Sequence, residues 1–265
     1  MLIVISPAKS LDFETPATVK TATQPALLDQ SQQLVDELKQ FAPQDFSNLM
    51  GISDKLALLN YDRYQQWQTP FTPENAKQAL LAFTGDVYTG LDAPSFSDSD
   101  FDFAQQHLRI LSGLYGILRP LDLMQPYRLE MGIKLANDEG KDLYAFWGGQ
   151  ITDSLNSQLK KLKSEVLVNL ASNEYFRSVK KGQLQADIIT PVFKDLKGDR
   201  YRIISFFAKK ARGQMARYII ENGLTDVEDI RGFAVDGYRF NADESTARDW
   251  VFTRDEAPAP AGGAA

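Results

Sequence analysis

The chain has 265 residues, no cysteine, a single histidine, a hydrophobic fraction of 43% and a formal net charge of −6. The lack of thiols excludes disulfides, a cysteine nucleophile and Cys-ligated zinc or iron–sulfur centres. The lone His107 excludes multi-histidine metal sites and most histidine-based general-base chemistry.

No apolar run approaches the roughly 18 residues of a membrane span. The opening "MLIVISPAKS" carries no basic leader and no small-residue cleavage site. It reads as a first buried strand, Met1–Ile5, rather than a signal peptide, and with the missing cysteines it places the protein in the cytoplasm, away from membranes. Ser6-Pro7-Ala8-Lys9 forms a tight exit from that strand, and a Thr- and Pro-rich loop runs to about Pro25. Leu27, Leu34, Leu38 and Phe41 have helical spacing. "SDKLALLNYDRYQQW" predicts a second helix capped by Ser53, and "TPENAKQALLAF" a third, with Thr72 as cap and Pro73 at its first position. Ser99 predicts the start of a helix through about Leu111, with Asp100 and Asp102 at its dipole-favoured end. His107 falls in this stretch as a surface or capping residue. "KDLYAFWGGQITDSLNSQLKKL" reads as helical with a break at Gly148-Gly149. "EVLVNLAS", "ADIITPVF" and "RYRIISFFA" read as strands, "KKARGQMARYIIENG" as a basic amphipathic helix stopped by Gly223, and "FAVDGYRF" and "WVFTRD" as terminal strands. Thr225 offers a cap for a short helix from Asp226. "APAPAGGAA" has nothing to pack and reads as a disordered tail. With no repeat and no clean βαβ period, the expected fold is a mixed α/β single domain over residues 1–254, followed by a tail at 255–265.

Charge is unevenly spread. Ser172–Ile220 holds eleven Lys and Arg against four Asp and Glu, a net of +7, which leaves −13 for the remainder. Thr84–Phe103 alone carries five aspartates and no base. On the predicted helix, Lys209 and Arg212 share a face, Lys210 lies beside it and Arg217 to one side. A solvated helix face is the plain reading of such a run. The local excess favours a polyanion instead. "LSGLYGILRPLDLMQPYRLEMG" adds Gly113 and Gly116, which either cap a helix before an ordinary turn or open the backbone to a phosphate as in a helix-hairpin-helix. The match is partial, because the glycines are three apart and Pro120 shortens any second helix. A second candidate, "ARGQMARYIIENGLTDVEDI", has an acidic second helix, which argues against phosphate contact. Ser6 and Lys9, just past a strand end, are either a turn or part of a ligand site. With Arg128 and Glu130 they form a possible small-ligand pocket in which an anionic substrate would meet lysine and carboxylate chemistry. Asp98, Asp100 and Asp102 offer oxygen ligands to Fe(II), but helix capping explains them more simply. No motif calls for a cofactor or a bound metal.

These stretches resemble a known family. The opening "LIVISPAKSLDF", "FTGDVYTGL", the Leu111–Gly132 segment, "NLASNEYF" and "FFAKKARGQMARYII" are similar to the bacterial YaaA peroxide-stress-resistance family over about Met1–Phe252. The resemblance implies a cytoplasmic protein that limits free intracellular iron and the oxidative damage it drives. It also implies an unusual mixed α/β domain containing a helix-hairpin-helix-type element and a basic cleft that binds DNA. It transfers no catalytic residue, and the segment after Arg254 departs from the family's usual ending. The resulting expectation is a monomer that contacts DNA phosphates without strong sequence preference through Lys9, Gly113, Gly116, Arg119, Arg128, Lys180, Lys181, Lys209, Lys210, Arg212 and Arg217. These would line one groove, with Asp86, Asp92, Asp98, Asp100 and Asp102 facing elsewhere.

Overall fold

Four consecutive apolar residues, Leu2–Ile5, form a strand buried along its whole length. The computed structural model describes residues 1–255; apart from Asp255, the expected tail lies outside the described residues. Leu2–Ile5 pairs in parallel with Leu108–Ser112 on one side and Val166–Leu170 on the other. Val166–Leu170 pairs in parallel with the long strand Asp187–Lys197, which pairs in parallel with Asp249–Arg254. Gly116–Leu118 closes one edge antiparallel, and Arg239–Phe240 the other. Continuous apolar runs are what a parallel sheet covered on both faces requires. The result is the single mixed α/β domain expected from the element order, with a parallel centre and antiparallel edges.

The helix Ser205–Glu221 covers this sheet and runs against the strand direction. Its far end is fixed by the Met1 ammonium, which donates to the Thr225 carbonyl at 3.2 Å. Gly90 and Gly213 bring this helix onto the short helix Asp86–Leu91, since a Cβ on Gly213 would lie 1.8 Å from the Val87 carbonyl oxygen.

Several expected elements change. No helix starts at Thr72. Lys77–Gln78 is a short strand against Leu123–Met124, and only Ala79–Ala82 is helical. The buried Lys77 ammonium donates to the carbonyls of Asp12 (2.8 Å) and Thr15 (2.7 Å), and Gln78 donates to those of Val19 and Thr21. Anchoring the Thr- and Pro-rich loop outweighs the local start signal. Ser97, not Ser99, caps the helix Asp98–His107, in a reciprocal box with Asp100. That helix ends four residues earlier than expected, because Leu108–Ser112 is drawn into the sheet. Gly148, at φ 48°, breaks the next helical stretch into Leu143–Trp147 and Gln150–Leu162, as expected. The basic helix begins at Ser205, so "RYRIISFFA" keeps only Arg200–Arg202 as strand.

His107 is buried at the end of its helix. Its Nδ1 lies 2.8 Å from the Met1 carbonyl oxygen, and its ring stacks on Phe103 at 4.1 Å. Burial holds the imidazole below its ordinary value, with the N-terminal charge and Arg109 adding to the effect and the Met1 carbonyl opposing it. The folded protein therefore resists protonating a group that the unfolded chain protonates near pH 6.5. This contribution is constant above that pH and is lost as pH falls through it. Urea unfolding between pH 7.5 and 5.5 is expected to show a loss of stability that His107→Gln lacks; parallel pH profiles for the two proteins would contradict the assignment.

Candidate functional site

The carboxyl ends of two central strands are tied together by Ser6. Its Oγ accepts from the Ser172 backbone N–H at 2.9 Å and lies 3.3 Å from the Ser172 hydroxyl, while the Tyr88 hydroxyl donates to the Ser6 carbonyl at 3.1 Å. Three residues on, the Lys9 ammonium contacts Glu130 Oε1 at 3.0 Å, and Arg128 Nη2 donates to the same oxygen at 3.0 Å. The other carboxylate oxygen, Oε2, and the Arg128 Nε are both buried without a hydrogen-bond partner among the described residues. Lys9, Arg128 and Glu130 thus meet at Glu130 Oε1, while Ser6 bonds to Ser172 and Tyr88 instead.

The glycines of Leu111–Gly132 build this bed. Gly113 turns the chain between two strands, not two helices. A Cβ there would lie 2.1 Å from the Leu129 carbonyl oxygen, so the glycine lets the segment carrying Arg128 and Glu130 cross directly over the turn. Gly116, at φ 65°, faces the Trp147 ring, whose Nε1 donates to the Gly113 carbonyl at 2.9 Å. Both glycines are buried. The expectation that they open the backbone to a phosphate is therefore corrected: parallel-sheet pairing continues past His107 and converts the expected helical hairpin into a β-hairpin.

Phenols surround the carboxylate. The Tyr64 hydroxyl donates to the Arg128 carbonyl at 2.9 Å, and the Tyr127 hydroxyl lies 2.6 Å from that of Ser112. Burial pushes Tyr64, Tyr88, Tyr127 and Tyr175 far up, so they stay neutral at any physiological pH. Burial also pushes Glu130 up, but the Lys9 hydrogen bond and the Arg128 charge outweigh it, and the group sits below the ordinary carboxylate value. The site holds a fixed anion with one cation on each side of a single oxygen.

The remaining basic candidates divide. Arg217 contacts Asp92 at 3.2 Å, Glu221 at 2.6 Å and the Ser95 hydroxyl at 2.8 Å, and lies over the Phe96 ring. Asp92 thus faces the basic helix, which corrects the expectation that the aspartates point elsewhere. Lys210 pairs with Asp236 at 3.0 Å, and Arg119 grips Asp122 through Nε and Nη2. Lys209 and Lys181 are exposed, Lys180 and Arg212 half-buried, and none of the four pairs with an acid among the described residues. Lys209 and Arg212 lie in the first half of the helix Ser205–Glu221. Lys180 and Lys181 lie beyond the short helix Asn173–Phe176, with Lys181 over the Phe176 ring. Asp98, Asp100 and Asp102 hold no shared point: among the described residues no group of three acids or histidines is placed to bind a metal ion. Nor is any described helix long and apolar enough to cross a membrane.

One feature escapes the sequence reading. Pro43–Met50 and Asp54–Gln66 are two helices joined by Gly51-Ile52-Ser53, with Gly51 at φ 61° and its N–H bonded to the Ser47 carbonyl at 2.9 Å. The turn is open, since a Cβ on Gly51 would meet nothing within 4 Å, and Lys55 beside it is exposed. The signal was present in "SNLMGISDKL", a glycine between two polar caps. At the other end of the second helix, a cleft of about 1100 Å³ is lined by Arg63, Trp67, Gln68, Lys20 and Gln125 but by neither Lys9 nor Glu130. Two of its lysines are already engaged: Lys39 donates to the Trp67 carbonyl, and Lys77 anchors the loop.

The sequence profile of the peroxide stress protein YaaA family matches residues 1–244. The chain belongs to that family. It is 66% identical to a UPF0246 protein of Teredinibacter turnerae, covering 96% of this chain and 99% of that one, and 65% identical to one of Saccharophagus degradans over the same shares. A UPF0246 protein of Colwellia psychrerythraea is 62% identical across its full length and 97% of this chain. The family's peroxide-stress role frames the site, and the packing of its glycine turn is directly testable. Gly113→Ala is expected to destabilise the fold by at least about 2 kcal/mol, because backbone rather than a flexible side chain occupies the space. Chemical denaturation measures this; a change within about 0.5 kcal/mol, usual for an open surface turn, would overturn the packing account.

Proposed function

We propose that this family member serves the peroxide response by binding DNA through its phosphate backbone, with the helical hairpin Pro43–Gln66 as the contact element. The open turn at Gly51 carries this reading. It leads into a 13-residue helix whose cap, Ser53, makes no side-chain hydrogen bond, so first-turn N–H groups remain available to an anion. Lys55 adds a positive charge at the same place, beside the first-turn carboxylate of Asp54. Lys180, Lys181, Lys209 and Arg212, which pair with no acid among the described residues, supply further phosphate contacts. Such contacts hold a duplex without reading its bases. Protection of DNA from iron-driven oxidation would then follow from occupancy of DNA.

Binding is expected to be similar across duplex, single-stranded and bubble DNAs and to weaken steeply with salt. Lys55→Ala and the pair Lys209→Ala with Arg212→Ala should each weaken every substrate alike. Each should also reduce the salt slope by about one for every phosphate that is no longer neutralised. Fluorescence anisotropy from low to high salt measures both; affinity that ignores salt would sink the proposal.

A second reading rests on a different observation, the orphaned Glu130 Oε2 and Arg128 Nε beside an exposed lysine. A small anionic substrate bearing an adjacent N–H or O–H would satisfy all three groups, which is the enzyme reading of the cluster. A thermal-shift screen of small carboxylates and phosphates is expected to give ligands whose effect disappears in both Lys9→Ala and Glu130→Gln. A screen in which every stabilising compound acts equally on the variants would refute it.

A further inference from the structure

Arg109 lies in the middle of the apolar run "LRIL", on the strand Leu108–Ser112, and is 5% exposed. A guanidinium in that position is expensive unless paired. Its Nη1 donates to the carbonyls of Gln105 (3.0 Å) and Leu108 (2.6 Å); its Nε and Nη2 make no hydrogen bond among the described residues. Burial pulls the group down to about 10, the charge of Asp122 opposing and that of Arg119 adding. The nearby acid is already committed. Asp122 Oδ1 accepts from Arg119 Nε (3.0 Å), Arg119 Nη2 (2.8 Å) and the Thr23 hydroxyl (2.6 Å), and Oδ2 accepts from the Arg119 backbone N–H at 2.7 Å.

Arg109 lines a cavity of about 190 Å³ between this strand and the helix Gln150–Leu162. Ser154, Ser157, Gln158 and Lys161 face it from that helix, at the i, i+3, i+4, i+7 spacing of a single helical face. Arg119 and Asp122 close it from the loop after Gly116–Leu118. Three cations against one carboxylate leave a net charge of +2. The volume is well under the roughly 300–1,000 Å³ of pockets for drug-sized ligands. We propose that this cavity binds a small dianionic phosphoryl group, either inorganic phosphate or the head of a small phosphomonoester. Guanidinium forks bind such oxygens through paired hydrogen bonds, and the serine hydroxyls and the exposed Lys161 ammonium complete the shell. A DNA phosphodiester carries a single charge and is flanked by sugars, so the site is independent of the hairpin and of the proposed DNA contacts.

The full chain is titrated with inorganic phosphate and, separately, glycerol 3-phosphate by calorimetry and thermal unfolding, against chloride at matched ionic strength. Phosphate at a hundredfold excess over its Kd is expected to raise the Tm by roughly 5–10 °C. A response to inorganic phosphate alone identifies the free ion as the occupant, and a stronger response to the ester identifies a phosphomonoester. Arg109→Met should abolish binding. Should that variant not fold, Lys161→Ala and Ser157→Ala, which alter accessible side chains, decide the matter. Each should weaken phosphate about tenfold while leaving DNA affinity unchanged. Phosphate effects equal to those of chloride, or unchanged in Lys161→Ala and Ser157→Ala, would overturn the proposal.

Discussion

The burial of Leu2–Ile5, bonded on both edges and covered on both faces, is the constraint from which the rest of the molecule follows. A strand that gives all its backbone groups to neighbours must end abruptly, and it ends at Ser6, whose hydroxyl and carbonyl are taken by Ser172 and Tyr88. Its other end ties the Met1 ammonium to Thr225, which fixes the direction of the longest helix. The placing of Lys9 against Glu130 also derives from this strand. Leu108–Ser112 is drawn into the sheet for the same reason, which moves Arg109 from a helix face into the interior.

Charge in this protein has two fates. Where acid and base meet inside, they are structural. Arg254 donates to Asp195 at 2.6 Å with both side chains 3% exposed, and the Tyr238 hydroxyl donates to the other carboxylate oxygen at 3.0 Å. Removing one partner of such a pair strands a buried charge, a loss of about 3–5 kcal/mol. It pins the last described strand to the long central one. Arg217 and Lys210 are also paired with acids, but on partly exposed faces where such a pair contributes at most about 1 kcal/mol. The net excess of the basic segment is therefore smaller in effect than in count. What remains for an external anion is a set of cations without an acidic partner among the described residues, together with the buried unpaired atoms of Arg128 and Glu130 and the Arg109 nitrogens that face the small cavity.

Those two places differ in kind. At Glu130 a carboxylate oxygen and an arginine nitrogen are both unsatisfied, so a ligand there must offer a donor and an acceptor together. At Arg109 only donors are unsatisfied, so the complement is a plain oxyanion. The Glu130 and Arg128 atoms are buried, and buried polar atoms are rarely left unpaired without a reason.

Much was legible in the sequence: the apolar runs that became parallel strands, the helix break at Gly148-Gly149, the basic helix, and the family itself through its long motifs. Side-chain period and composition act within a few residues, so local patterns fix them. The joining of Lys9 to Glu130 rests on a contact between residues more than a hundred apart in sequence, which no spacing encodes. Only tertiary packing decided that Gly113 lies beneath Leu129 rather than in water, that Asp92 meets Arg217, and that Lys77 serves a loop rather than a helix. The same capping and turn chemistry that misplaced a helical hairpin at Gly113 stood unread at Gly51. A glycine's backbone freedom is visible in sequence, but whether its open side faces solvent or another chain segment is settled by what packs against it.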